Sequence, residues 1–212
     1  MLPDEIEREA ALITETGIRH ILLLTGEAPN TANIDYLVNA VTILKKYFSA
    51  PAIEVYPLHG DGYAKLASAG ADALTIYQET YNKAMYRVYH KSGPKADYDF
   101  RLNAPLRALE NGFRAVTIGP LLGLADPYAD VLSSAHHFCS LEEQFPHAEL
   151  SFSLPRIRPI GKKMEIACEV NDRTFVQFII ALRLFKPYAG ITVSTRETAT
   201  MRNALLNLGI TK

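Results

Sequence analysis

The stretch IRHILLLTGE, residues 18–27, decides how the rest of the chain is read. Four consecutive apolar side chains, Ile21 to Leu24, run into a polar turn, Thr25-Gly26-Glu27. A short apolar run closed this way predicts a strand buried by helices on its faces. Upstream, Ile6, Ala10 and Ile13 recur at helical spacing, with Asp4 placed to cap that helix and Gly17 to end it. Downstream, IDYLVNAVTILKKYF (34–48) predicts a second amphipathic helix, with Lys45 and Lys46 in its last turns, where cations suit the helix dipole.

The same alternation continues. AIEVYPL (52–58) predicts a strand, GYAKLASAG (62–70) a short helix closed by Gly70, and ADALTIYQET (71–80) a strand. After a polar, hairpin-like stretch come LNAPLRALENG (102–112) as helix, FRAVTIGPLLG (113–123) as strand and DVLSSAHHFCSLEEQF (130–145) as helix. AELSFSLPR (148–156) and AGITVSTRE (189–197) predict strands, and DRTFVQFIIALRLFKP (172–187) and TATMRNALLNLG (198–209) helices.

About six strands alternating with seven helices define an α/β protein built from βαβ units, with parallel strands. A doubly wound sheet fits the pattern. So does a (β/α) barrel, and the polar or Gly-containing turn at each strand's end favours the barrel. Six strands and a helical start predict a partial barrel lacking the first and last strands, with residues 1–212 forming a single domain.

Composition narrows the function classes. Hydrophobic residues make 48% and charged residues 21%, which excludes wholesale disorder. Lys+Arg of 22 against Asp+Glu of 23 leaves no footprint for nucleic acid or an anionic membrane surface. No run approaches the ~18 apolar residues of a membrane span. The start, MLPDEIEREAALITETG, is acidic and amphipathic rather than signal-like, so a cytoplasmic location is expected. Cys139 and Cys168 cannot by themselves hold a four-thiolate metal site or an iron–sulfur cluster. His136 and His137 are adjacent on a helix and face different ways, so no metal site is expected there.

Candidate binding residues cluster at the predicted strand ends. Gly26 lets a ligand approach the backbone, and Glu27 can hold an ammonium group. Gln78, Glu79 and Thr80 combine an amide, a carboxylate and a hydroxyl, which suits ribose hydroxyls or an amino group. HKSGPKADYDFR (90–101) reads either as a cover over the strand ends or as an exposed excursion. PRIRP (155–159) sets Arg156 and Arg158 between prolines, and STRE (194–197) sets Ser194 and Arg196 at a strand end. Both arginine motifs suit a carboxylate. Each candidate also has a plain structural reading: a turn, a solvated strand end, a helix cap, or a salt bridge such as Arg196 with Glu197.

Taken in order, HILLLTGE, IEVYPL, LTIYQETYN, SGPKADYDFRLNAPLRA, GPLLGL, FSLPRIRP, FVQFIIALRLF and ITVSTRE resemble one family over essentially the whole chain. It is the 2-iminoacetate synthase family, the tyrosine lyases of thiamine biosynthesis among the radical S-adenosylmethionine (radical SAM) enzymes. The related tyrosine-cleaving [FeFe]-hydrogenase maturase is a close alternative, and RLNAPLRA and LLGLAD look more like the thiamine branch. The resemblance implies a TIM-like barrel that uses S-adenosylmethionine and a [4Fe–4S] cluster to break the Cα–Cβ bond of tyrosine, giving 2-iminoacetate and p-cresol. It further implies the thiazole synthase of thiamine biosynthesis as a partner.

Residue by residue, the resemblance sets Gly26 and Glu27 at the methionyl amino group and Arg101 at the methionyl carboxylate. Gln78, Glu79 and Thr80 fall near the ribose or the substrate. Ser194 and Arg196 clamp the amino-acid end of tyrosine, and Arg156 and Arg158 line or brace that pocket. The family's CxxxCxxC cluster motif and its eighth strand have no counterpart in these residues. The expectation is a fragment cut at both ends and inactive on its own. A cluster-free nucleoside- or amino-acid-binding module, or an interaction protein competing for a partner of the full enzyme, are the alternatives.

Overall fold

The computed structural model describes residues 1–158 and 166–211. Its strands are β1 (His20–Leu24), β2 (Ala50–Glu54), β3 (Ala73–Glu79), β4 (Ala115–Pro120), β5 (Glu149–Ser153) and β6 (Gly190–Thr192). They form one sheet in sequential order, β1 to β6. The pairings are parallel: His20 opposes Ala50, Ala52 opposes Ala73, and Ser151 opposes Gly190. Beyond β4 and β5, Leu122 and Arg156 extend the parallel pairing by one bridge. Sequential parallel strands joined by helices are the topology of a (β/α) barrel, here with six of its strands.

The helices are α1 (Pro3–Glu15), α2 (Ile34–Lys45), α3 (Gly60–Ala69), α4 (Lys83–Tyr89), α5 (Tyr98–Leu102), α6 (Ala104–Glu110), α7 (Pro127–Gln144), α8 (Asp172–Phe185) and α9 (Ala199–Leu206). The described residues thus carry nine α-helices where the sequence pattern predicts seven. The two additions, α4 and α5, replace the expected hairpin-like stretch. Asn82 accepts the Ala84 and Met85 N–H groups and so caps a helix too short to show a periodicity. Among the described residues, no helix is long and apolar enough to cross a membrane.

The chain divides into two compact units. The first holds residues 1–76 and 99–116. In it α1 lays Ile6 and Ala10 against Ala40, Ile43, Leu44 and Phe48. Helix α2 starts where the Asn33 side chain accepts the Tyr36 N–H, and it buries Leu37, Ala40, Val41 and Leu44, one helical face. Strand β1 departs from the expectation of full burial, with Leu22 45% and Leu24 64% exposed. The alternation along the strand explains this: Ile21 and Leu23 pack on the cluster of Ile6, Ala10, Ala40 and Phe48, while Leu22 and Leu24 point to the opposite face of the sheet.

The second unit holds residues 77–98 and 117–212. Phe138 of α7 stacks on Phe152 of β5 at 4.4 Å between ring centroids, and Phe175, Phe178, Ile179 and Leu182 turn the buried face of α8 inward. Gly119 is required by close approach. A Cβ there would lie 1.8 Å from the Ser153 carbonyl oxygen, so no other residue lets β4 and β5 sit together. Strand β6 spans three residues, so Ser194 to Glu197 lie past its end and strand alternation does not govern their directions.

Candidate functional site

In the first unit, the C-terminal end of β1 opens into Thr25-Gly26-Glu27. The Thr25 N–H still donates to Glu54 O at 3.1 Å, and the chain then turns, with the Ala28 N–H on Gly26 O. Glu27 Oε1 accepts Arg101 Nη1 at 2.6 Å, and Arg101 is 5% exposed. A buried guanidinium and a half-buried carboxylate therefore stand side by side at a strand end. Arg101 lies on α5, and α5 is held in turn by Arg107. The Arg107 guanidinium lies 4.0 Å over the Phe100 ring and donates to Phe100 O (2.7 Å) and Leu58 O (3.0 Å). A Cβ at Gly26 would meet nothing within 4 Å, so the space beside it is open.

In the second unit, Gln78, Glu79 and Thr80 are all buried at the end of β3. Gln78 Nε2 reaches Tyr98 O at 3.4 Å, and Glu79 Oε1 accepts Lys95 Nζ at 2.7 Å. Lys95 sits on a short 3-10 turn, Pro94–Ala96, whose Lys95 carbonyl accepts the Tyr86 hydroxyl at 2.7 Å. Tyr98 donates to Tyr81 O at 3.0 Å and packs edge-on against Tyr86. Within this unit residues 83–98 therefore fold back onto the β3 end, as a cover would.

Helix α7 grips the next residues. Asp130 Oδ1 accepts Thr80 Oγ1 at 2.9 Å and the Tyr81 N–H at 2.7 Å, and Tyr81 Oη lies 3.0 Å from His137 Nδ1. Burial pushes the Asp130 carboxyl up, against the hydrogen bonds from Tyr81 and Thr80 that lower it. Burial also pushes the His137 imidazole down to about 4, so it is neutral near pH 7.

Of the two arginines in PRIRP, one is fully engaged. Arg156 is 4% exposed. Its Nε and Nη2 fork onto Glu197 Oε1 (2.9 Å) and Oε2 (2.5 Å), while Nη1 donates to Val170 O and Asp172 Oδ1, both at 2.9 Å. Its plane lies 4.3 Å over the Phe175 ring. Arg158 Nη2 donates to the same Glu197 Oε2, and its side chain is 41% exposed. Burial alone would raise the Glu197 carboxyl, but hydrogen bonds from Arg156 and Arg158 outweigh it and hold Glu197 below the usual carboxylate range. Pro159, which closes the motif, lies outside the described residues.

Glu197, offered by its position as a partner for Arg196, is paired with Arg156 and Arg158 instead. Arg196 is exposed, its backbone N–H on Ser194 Oγ at 3.2 Å. Asp130, Lys95, Arg107 and Glu197 are absent from the sequence-derived candidates. Their partners stand up to 50 residues away in the chain, and no local pattern marks such a pairing.

These features define a (β/α)-barrel protein with charged and amide side chains at the C-terminal ends of its strands. The model of the radical SAM superfamily matches residues 1–138, and that of the biotin and thiamin synthesis associated domain matches residues 153–212. The chain belongs to the radical SAM superfamily. It is 36% identical over 207 residues to the 2-iminoacetate synthase of Escherichia coli (strain K12), covering 97% of this chain and 55% of that protein. Two solved structures of [FeFe]-hydrogenase maturases are similar. One is a HydG at TM-score 0.92 and 30% identity, covering 99% of this chain and 48% of that one. The other is the HydG of Carboxydothermus hydrogenoformans at TM-score 0.91 and 32% identity, covering 99% and 50%. The chain spans about half the length of the curated relatives it matches.

The superfamily implies S-adenosylmethionine and a [4Fe–4S] cluster in its full-length members. The residues present do not fit the cluster. Its three thiolate ligands exceed the two cysteines of the chain, both are half-buried free thiols, and no group of three His, Cys, Asp or Glu among the described residues could hold a metal ion. For S-adenosylmethionine the donor set does fit: the Arg101–Glu27 pair offers opposite charges side by side, with open space at Gly26.

Proposed function

We propose that this chain is the substrate- and nucleoside-holding part of a radical SAM tyrosine lyase, one that breaks the Cα–Cβ bond of tyrosine to give 2-iminoacetate and p-cresol for the thiazole of thiamine. The observation that carries the reading is the Arg101–Glu27 pair at the end of β1. An amino-acid zwitterion matches such a pair. Its carboxylate takes the guanidinium and its ammonium takes the carboxylate, so four charges alternate with little desolvation left uncompensated. Gly26 leaves room for the methionyl chain. Gln78, Glu79 and Thr80 supply acceptors and donors for ribose hydroxyls or the substrate amino group. Arg158, Ser194 and Arg196 are assigned to the tyrosine carboxylate, and Arg156 braces Arg158 through Glu197. S-adenosylmethionine, when bound, supplies the hydrogen-abstracting chemistry. The residues named here bind and orient; none of them acts as a nucleophile.

Residues 1–212 form one barrel domain in this reading. The two reduced thiols suit a cytoplasmic location, and thiazole synthase is the partner that takes the product. The 36% identity to a 2-iminoacetate synthase supports the thiamine branch. The TM-score of 0.92 to a hydrogenase maturase keeps that branch as the second reading.

Calorimetric titration of the 212-residue chain with S-adenosylhomocysteine tests the site. Binding is expected, and Arg101→Met should weaken it roughly tenfold or more. Undetectable binding, or an unchanged affinity in that variant, defeats the reading. The same chain after anaerobic iron and sulfide reconstitution is expected to show no stoichiometric cluster absorption and to form no 5′-deoxyadenosine.

A further inference from the structure

Glu79 has φ +69°, the one positive φ at a non-glycine residue among those described. In that conformation a side chain's Cβ crowds the following carbonyl, so a glutamate takes it up where its surroundings impose it. The surroundings here are explicit. On one side, Glu79 O accepts the Leu121 N–H at 2.7 Å. On the other, Asp130 Oδ1 fixes both the Thr80 hydroxyl and the Tyr81 N–H, and Thr80 Oγ1 in turn accepts the Asn82 N–H at 3.1 Å. Asp130 and Thr80 are 1% and 0% exposed, so no water competes for these bonds. Asp130 lies in the first turn of α7, where unpaired N–H groups and the helix dipole favour a carboxylate. His137 stands seven residues further along the same helix and holds the Tyr81 hydroxyl, which makes a second grip on the same turn.

We propose that Asp130 is the positioning residue of the β3 end. By pinning Thr80 and Tyr81 it holds Glu79 in the left-handed conformation, aims the Glu79 carboxylate at Lys95 and sets the place of Gln78. Its link to ligand binding rests on the reading of this strand end as part of a nucleoside site.

The test uses isotope-labelled 212-residue chain. The Cα and Cβ chemical shifts of Glu79 report its backbone conformation directly, a readout that loss of stability alone does not move. Asp130→Asn keeps a carbonyl acceptor at Oδ1 and should leave those shifts in place. Asp130→Ala removes it and should move them to extended values, while the signals of Phe138 and Phe152 stay. Unmoved Glu79 shifts in Asp130→Ala overturn the proposal. If that variant does not fold, Thr80→Val, which removes one of the two pinned donors, decides alone: averaged Glu79 shifts support the proposal and unchanged shifts overturn it. Affinity for S-adenosylhomocysteine should fall roughly tenfold in Asp130→Ala and less than about threefold in Asp130→Asn. A wild-type chain that does not bind S-adenosylhomocysteine defeats the binding reading, and the backbone shifts still decide the role of Asp130.

Discussion

Two arginine–glutamate pairs stand at strand ends of this chain, and they are built for different work. Arg156 and Glu197 are saturated. The guanidinium gives its fork to Glu197, a third nitrogen to Val170 O and Asp172, and its face to Phe175, while Glu197 takes a further hydrogen bond from Arg158. The side chains are 3% and 2% exposed. At the end of β1, Arg101 meets Glu27 at 2.6 Å, with the glutamate 22% exposed and open space at the neighbouring glycine. The first arrangement ties the PRIRP segment, the start of α8 and the STRE turn together within the second unit. The second leaves its carboxylate partly exposed beside an open glycine, while its guanidinium is buried. An arginine motif in a sequence does not distinguish the two cases; what separates them is how far the fold closes the glutamate off from solvent, 2% exposed at Glu197 against 22% at Glu27.

The largest expected effect tests that contrast through stability. Glu197→Ala removes the carboxylate that answers two guanidinium groups and leaves Arg156 buried against an incomplete set of acceptors. Breaking a buried pair this way costs ~3–5 kcal/mol. For a chain of this size that is a drop in Tm of roughly 6–20 °C, measured by thermal unfolding. Glu27→Ala should cost about 1–2 kcal/mol, because the β1 end is partly open to water. Equal losses in the two variants would erase the distinction between a brace and a binding pair.

The acid limb of stability should divide the same way, with a smaller amplitude. Glu197 is held below its ordinary value of 4.5 by its arginines. Its contribution is therefore complete above about pH 4.5 and is lost as the pH falls through its folded pKa. His137 acts in a higher window. Burial lowers it from 6.5 to about 4, so between those values the unfolded chain takes up a proton that the folded chain refuses. Stability then falls as the pH drops from 6.5 toward 4. His137→Gln should flatten the upper window and Glu197→Gln the lower one, each read as the slope of Tm against pH. The pH dependence that remains in the double variant reports the other titrating groups.

The sequence made the frame of this fold legible because its signals are local. Apolar runs such as ILLL and LTIY are short, end in Gly or polar turns and alternate with stretches that carry caps. That pattern admits few topologies once connections are right-handed. Helices α4 and α5 were not legible, since seven and five residues are too few for a period to show. Strand β1 is less buried than its apolar run predicts, because such a run does not say whether both faces of the strand are covered. At the strand ends, Glu27, Gln78, Glu79, Thr80 and Arg101 could be picked out by type and place. Their partners could not. Lys95 sits in a polar stretch whose spacing marks no partner, Asp130 reaches back 50 residues to Thr80, and Glu197 reaches back 41 residues to Arg156. The left-handed Glu79 was also hidden, because the residues that usually mark that conformation are Gly and Asn.

The smallest effect is the sharpest test of the β1 end, because stability and binding should part company there. Gly26 has no positive φ, and a Cβ built on it meets nothing within 4 Å. The fold therefore gives no reason for a glycine at this position. Gly26→Ala should move Tm by no more than about 1 °C, within the usual range for a surface change without strain. If the glycine is there to let a methionyl chain run close to the backbone beside Glu27, the added methyl must meet that ligand instead. Affinity for S-adenosylhomocysteine should then fall, by roughly threefold to tenfold, in a variant whose unfolding curve overlays that of the parent. At Gly119 the same substitution should do the reverse. There the Cβ collides with the Ser153 carbonyl, so the alanine variant should lose stability outright, whatever it binds. An unchanged affinity in Gly26→Ala would mean that the space beside Glu27 is simply solvent, and the binding role of the β1 end would then rest on the charge of Arg101 and Glu27 alone.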